Sequence, residues 1–206
     1  MEKIMILNGS PRAPRSNSKQ YAALFEKYSR LPTETFSVTG PKAGEIGKKI
    51  QEFSHVLLVF PLYADGLPVP LLRFLKEWEQ NGFPGKPTVS VLINCGFLEP
   101  EQNDVAIDMV KLFCRKNGLT FGSVLKIGSG EAILQTPFRW LVERKIRRLA
   151  ANMEKGTWSV QRVTMPLTKN MFLKASTKYW ESYGKKNGIP RDEMATMSIE
   201  KETNVR

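Results

Sequence analysis

The residues best suited to chemistry stand near the start of the chain, in Asn8-Gly9-Ser10-Pro11-Arg12 and, after a short spacer, Ser16-Asn17-Ser18. Hydroxyls, an amide and the guanidinium groups of Arg12 and Arg15 are the donors and charges that a phosphate group takes. An apolar run, Ile4-Met5-Ile6-Leu7, precedes them and reads as a buried strand. Tyr21, Leu24, Phe25 and Tyr28 follow at helical spacing. A strand, a Gly/Ser/Arg-rich loop and a helix start together form an anion-binding arrangement. The first-turn N–H groups of a helix lack intrahelical acceptors and sit at its positive dipole end. Asn17 with Gln20 three residues later also fits a variant of the capping box, so the same residues can serve a plain helix start.

Two further loops carry unusual compositions. Pro61-Leu62-Tyr63-Ala64-Asp65-Gly66-Leu67-Pro68-Val69-Pro70 is a stiff apolar shelf just beyond a buried run, and Tyr63 offers a ring face and a hydroxyl to a flat ligand. An ordinary strand-to-helix turn accounts for the same residues. Asn94-Cys95-Gly96-Phe97 exposes backbone N–H groups beside a glycine that lets a ligand approach closely. Cys95 reads as a small loop residue. The only histidine, His55, opens a buried strand at the far end from the binding edge, so neither a Cys–His nor a Ser–His–Asp site is expected. Gly128-Ser129-Gly130 lacks the third glycine of a dinucleotide fingerprint, where Ile133 stands, and Gly85-Lys86 lacks the spacing of a nucleotide P-loop. No cluster has metal-ligand spacing.

The elements that must position these loops alternate. Strands are expected at Ile4–Leu7, Thr35–Val38, His55–Phe60, Thr88–Ile93 and Phe121–Ile127. Between them the spacing predicts helices at Glu45–Phe53, Pro68–Gln80 and Glu99–Asn117, the last with Val105, Met109, Leu112 and Phe113 inward. Strands alternating with helices imply a parallel sheet covered on both faces. Ligands then bind beyond the carboxyl ends of the strands, at the switch in strand order. From Thr136 the alternation stops. Val142, Ile146, Leu149, Ala150 and Met153 predict one amphipathic helix, and an aromatic-rich second helix ends at Gly184 or Gly188 before Pro190.

The bulk properties suit a globular chain of 206 residues, 41% of them hydrophobic, with no apolar stretch of the roughly 20 residues that span a bilayer. Glu2 and the immediate strand lead us to expect no signal peptide. Two cysteines, Cys95 and Cys114, suit a reducing cytoplasm and cannot ligate a four-cysteine iron–sulfur cluster. The net charge of +11 is uneven, with 16 Lys/Arg against 13 Asp/Glu over residues 1–137, but 15 against 7 over 138–206. That makes the final third a basic appendage, though nucleic acid is not expected as a partner.

In sequence the chain resembles the flavodoxin-like NAD(P)H-dependent FMN reductases and related oxidoreductases. Those proteins open with a strand and a G-S-x-R…S-x-[NS] loop, here Gly9-Ser10-Pro11-Arg12 with Ser16-Asn17-Ser18. A Pro-x-Tyr shelf follows their third strand, matched by Pro61-Leu62-Tyr63, and a small-residue loop follows their fourth, matched by Asn94-Cys95-Gly96-Phe97. The spacer Ala13-Pro14-Arg15 lengthens the first loop. The resemblance covers about residues 1–135. It implies a three-layer α/β flavodoxin-like fold with a five-stranded parallel sheet in the order 2-1-3-4-5, a domain over residues 1–135, and a basic helical segment over 136–206 packed on or next to it.

It also implies FMN as cofactor and NADPH or NADH as co-substrate, with hydride passing through the flavin to a small acceptor such as a quinone, an azo compound or free flavin. Ser10, Arg12, Ser16, Asn17 and Ser18 are then assigned to the phosphate, Pro61, Leu62 and Tyr63 to the ring, and Asn94, Cys95 and Gly96 to its pyrimidine edge. A homodimer is expected on the same ground. The alternatives are a flavodoxin-type electron carrier, against which the pI of about 9.7 speaks, and a non-enzymatic basic binding module on the same fold.

Overall fold

The computed structural model describes residues 2–12, 16–40 and 43–196. The expected alternation is present as β1 (Ile4–Asn8), α1 (Asn17–Tyr28), β2 (Thr33–Ser37), α2 (Ala43–Lys49), β3 (His55–Pro61), α3 (Val69–Asn81), β4 (Thr88–Asn94), α4 (Asp104–Lys116) and β5 (Phe121–Ile127). It then continues with α5 (Arg139–Glu154) and a further strand, β6 (Val160–Val163). All pairings are parallel, and the sheet runs β2-β1-β3-β4-β5-β6. The expected order 2-1-3-4-5 is therefore contained in a sheet of six strands, not five. The sixth strand is short, and Gln161 is buried while Val160 is exposed. An alternating apolar signal is absent there, and only pairing with β5 reveals the strand.

Successive residues of the central strands go to opposite faces. Met5, Leu7, Val56, Leu58, Phe60, Val91 and Ile93 join one core with Ile46 and Ile50 near α2, Leu71, Phe74 and Trp78 of α3, and Val110 and Phe113 of α4. On the other face α1 lies against β1 and β3, and α5 against β5, β6 and α1. Each fully buried large apolar side chain contributes about 1.5–3 kcal/mol. The result is a three-layer α/β arrangement.

Of the stripe expected on α4, Phe113 is buried and Met109 packs partly buried against the core, whereas Val105 and Leu112 are exposed; Ala106, Ile107, Val110 and Cys114 are buried beside Phe113. Two apolar stripes interleave in this helix. The wider one, which includes the small residues Ala106 and Cys114, faces the sheet because small side chains allow close approach.

The chain divides into two compact units, the first running to Met165 and the second beginning at Pro166. α5 and β6 lie in the first unit, where β6 is the sixth strand of the sheet and α5 packs on β5 and β6. The second unit holds α6 (Lys169–Lys186) and α7 (Arg191–Met194). Thr168 caps α6 by accepting a hydrogen bond from the Met171 N–H, and Gly188, at φ 73°, follows its end in the left-handed conformation. Gly184, against Met194, is the buried residue of α6.

Candidate functional site

Leaving β1, the chain crosses first to β2 on one side and later to β3 on the other, so the strand order switches direction at β1. The carboxyl ends of β1, β3 and β4 lie side by side there, Asn8 opposite Val59 and Pro61 opposite Asn94. They border a cleft of about 610 Å³.

The loop after β1 is held from within. The buried Asn8 accepts the Ser10 N–H on its Oδ1 at 3.0 Å, and the Gly9 N–H donates to the Val59 carbonyl at 2.9 Å. A Cβ at Gly9 would stand 3.0 Å from the Leu71 Cβ, so the backbone passes close to α3 and a larger residue would require Leu71 to give by a few tenths of an ångström. Ser16 is the N-cap of α1 and accepts the Lys19 N–H at 3.2 Å. Ser18 is buried and its hydroxyl donates to Asn94 Oδ1 at 3.1 Å, which ties the first loop to the fourth strand. The first turn of α1 contains no acid. Arg12 is exposed and forms no ion pair among the described residues. Ala13, Pro14 and Arg15 lie outside the described residues, so the expected contribution of Arg15 is not placed.

After β3, the Leu62 N–H donates to the Asn94 carbonyl at 2.8 Å. Tyr63 and Gly66 then exchange two backbone hydrogen bonds across Ala64 and Asp65, both at positive φ, which makes a tight two-residue turn of the primed type. That turn fixes Tyr63 with its ring partly exposed at the cleft.

After β4, the buried Cys95 thiol lies near the carbonyls of Phe97 and Glu99 and receives the Asn103 side-chain N–H at 3.4 Å. Burial raises its pKa above the usual thiol value. It is held as a protonated packing group rather than a nucleophile. At Gly96 an added Cβ would meet nothing nearer than Glu131, 3.9 Å away, so this backbone opens onto space.

All eleven residues assigned from the sequence line this one cleft. The sequence reading missed Lys19, Gln20, Ala23 and Glu131, which line it as well. The first three lie on the helix face that continues from Ser16, a spacing that was available. Glu131 arrives on the loop after β5, a segment that drew attention only as a failed dinucleotide fingerprint. Its Gly130 accepts the Tyr21 hydroxyl at 2.7 Å and donates to the Cys95 carbonyl at 2.7 Å. A Cβ at Gly130 would come within 2.8 Å of the Asn94 Cβ. This fourth glycine-bearing loop is thereby held against Asn94 and Cys95 and brings Glu131 to the cleft. Burial pushes the Tyr21 hydroxyl far above the usual tyrosine pKa, so it serves as a fixed donor.

His55 lies at the amino end of β3, beside the Trp158 ring, at the opposite edge of the sheet. Among the described residues no group of three or more His, Cys, Asp or Glu could hold a metal ion.

No protein-family model matches the chain, and no curated protein does. Solved structures do match its fold. An NAD(P)H:quinone oxidoreductase from Methanothermobacter marburgensis superposes with a TM-score of 0.57 at 16% identity, covering 74% of this chain and 97% of that one. An FMN-dependent NADH-azoreductase from Bacillus anthracis, in complex with FMN, gives 0.55 at 14% identity over 74% and 99%. A flavodoxin from Streptococcus pneumonia gives 0.55 at 14% identity over 76% and 100%. The fold is flavodoxin-like.

Proposed function

We propose that the cleft binds FMN and that the protein is an NAD(P)H-dependent oxidoreductase acting on a small acceptor such as a quinone, an azo compound or free flavin. The observation that carries this reading is the convergence of the three loops after β1, β3 and β4, with their chemically distinct residues, on one cleft at the switch in strand order. The donor set fits a mononucleotide flavin. Hydroxyls of Ser10 and Ser16, the Asn17 amide and the Arg12 charge, which has no ion pair among the described residues, suit a terminal phosphate, while Ser18, its hydroxyl committed to Asn94, contributes with the acid-free first turn of α1 through open backbone N–H groups. Pro61, Leu62 and Tyr63 form the apolar side against which a ring system would lie. Beside Asn94 and Cys95, whose backbone groups are tied into the sheet and the neighbouring loops, Gly96 offers an open backbone and space at its edge. The volume of the cleft lies in the range of small-molecule sites.

A bound flavin supplies the redox chemistry, accepting hydride from NADH or NADPH and releasing reducing equivalents to the acceptor. The chain's own residues bind and orient. The Ser18–Asn94 and Tyr21–Gly130 hydrogen bonds hold the loops at a fixed spacing, and the protonated Cys95 keeps thiolate chemistry away from the ring. No side-chain acid or base is needed. The neighbours that carry this fold include flavin-dependent oxidoreductases, which supports the reading at the level of the general reaction. The same proposal includes a homodimer in a reducing cytoplasm, where the two buried cysteines stay free.

The test is NADH and NADPH oxidation by the flavin-loaded protein against a panel of quinones, azo dyes and free flavins. Acceptor-dependent turnover is expected. Bound flavin with no nicotinamide oxidation would replace the enzyme with an electron carrier.

A further inference from the structure

The cleft keeps its charges apart. Among the described residues that line it, the cations are Arg12, on the loop after β1, and Lys19, in the first turn of α1. The one acid is Glu131, from the loop after β5. Its backbone is fixed. The Glu131 carbonyl accepts the Asn17 side-chain N–H at 3.5 Å, and the preceding Gly130 is held by the Tyr21 hydroxyl and the Cys95 carbonyl. Its side chain reaches the loop after β4, where a Cβ on Gly96 would meet the Glu131 carboxyl carbon at 3.9 Å. Although two cations line the same cleft, the Glu131 carboxylate forms no ion pair among the described residues.

An uncompensated carboxylate therefore stands beside the open Gly96 backbone, the place assigned to the pyrimidine edge of the ring, while the cations stand where the phosphate is assigned. Charge near the ring nitrogens tunes a flavin. The oxidised ring is neutral, and reduction adds electron density at its pyrimidine edge. A fixed negative charge there raises the free energy of the reduced form and leaves the oxidised form nearly untouched. The phosphate carries the same charge in both oxidation states, so its repulsion by Glu131 cancels in the potential.

We propose that Glu131 holds the reduction potential of bound FMN low, as a fixed charge and not as an acid or a base. This deepens the flavin assignment and rests on FMN being the occupant of the cleft. A lower potential makes the reduced ring the stronger donor to the acceptor.

The experiment is the midpoint potential of FMN on the unaltered protein and three variants, read from absorbance at equilibrium with a reference dye, with FMN affinity measured alongside by fluorescence. Glu131→Gln should favour the reduced form about tenfold, an upward shift of about 30 mV for a two-electron couple. Glu131→Asp keeps the charge and should keep the potential near that of the unaltered protein. Lys19→Gln, at the phosphate end, should shift it downward and by a smaller factor. Because Glu131 is exposed, the difference between Glu131→Gln and the unaltered protein should shrink in high salt.

A merely structural role for Glu131 would change the affinities for oxidised and reduced FMN alike and leave the potential where it was. Bound FMN with an unmoved or lowered potential in Glu131→Gln would overturn this proposal alone. So would a shift in Lys19→Gln as large as that in Glu131→Gln, which makes the net charge of the cleft the cause. Failure of the unaltered protein to bind FMN would overturn the flavin assignment itself, and this proposal with it.

Discussion

The two long helices of the basic final third have similar charge and opposite fates. α5 carries five cationic residues against Glu143 and Glu154, and α6 five lysines against Glu181. Yet Val142, Ile146, Leu149 and Met153 of α5 are each fully buried, while α6 buries only Gly184. The difference lies in the stripe and not in the charge. In α5 it is aliphatic and continuous at i, i+4, i+7 and i+11, which suits close packing on β5 and β6. In α6 it is built from rings with polar tips and is interrupted by Ser176. A basic composition therefore says little about packing, and the kind of apolar residue on the other face says much.

The strongest way to break that contrast is one aspartate in each stripe. Val142→Asp buries an unpaired charge and should destabilise the sheet unit by about 3–5 kcal/mol, whereas Trp180→Asp should leave its denaturation midpoint unchanged. Equal losses in urea unfolding would remove the distinction.

Next in size is a contrast between guanidinium groups. Arg12 lines the cleft and has no ion pair among the described residues, so Arg12→Ala should weaken FMN by about 1.5–3 kcal/mol and leave riboflavin, which lacks the phosphate, nearly unaffected. Equal weakening of both ligands in fluorescence titrations would make Arg12 a structural residue. Tyr21→Phe strands the Gly130 carbonyl in a buried place and should cost about 1–2 kcal/mol of stability by thermal or urea unfolding. An unchanged midpoint would show that the fifth-strand loop is held by other contacts.

A smaller effect belongs to the amino edge of the sheet. Burial lowers the His55 pKa from 6.5, with Glu2 opposing, and its Nδ1 has no hydrogen-bond partner among the described residues. The unfolded chain therefore takes up this proton first. The stability contributed by neutral His55 is complete above pH 6.5 and is lost as pH falls from there through the lowered folded value. Melting temperatures followed downward through this window should drop less steeply in His55→Gln than in the unaltered protein. The least effect is expected from Arg144→Gln with Arg148→Gln on the solvent side of α5, less than about 2 °C in melting temperature. Arg147 is set apart, because it stacks on the Tyr28 ring at 4.4 Å and donates to its hydroxyl.

Much of the sheet domain was legible because its strands are continuous apolar runs and its loops interrupt them sharply. The site was legible for the same reason, since Ser10, Tyr63 and Asn94 each stand just past such a run. β6 was not, because an edge strand with a buried glutamine and an exposed valine carries no periodic signal. The α4 stripe was placed in part, with Phe113 and Met109 on it and Val105 and Leu112 off it, because small residues such as Ala106 and Cys114 give little hydrophobic signal. Gly130 and Glu131 escaped because their role depends on contacts to Tyr21 and Cys95, more than 30 residues away, and no local spacing records such contacts.

The central claim, a cleft built around a terminal phosphate and a flat ring, is tested most directly by titrating the flavin-free protein with FMN, riboflavin and FAD while following flavin fluorescence. The account predicts saturable FMN binding, clearly tighter than riboflavin and not surpassed by FAD, because the loop offers hydroxyls and Arg12 to a phosphate monoester and no glycine fingerprint to a pyrophosphate. Marked preference for FAD, or no binding of any of the three, would contradict it.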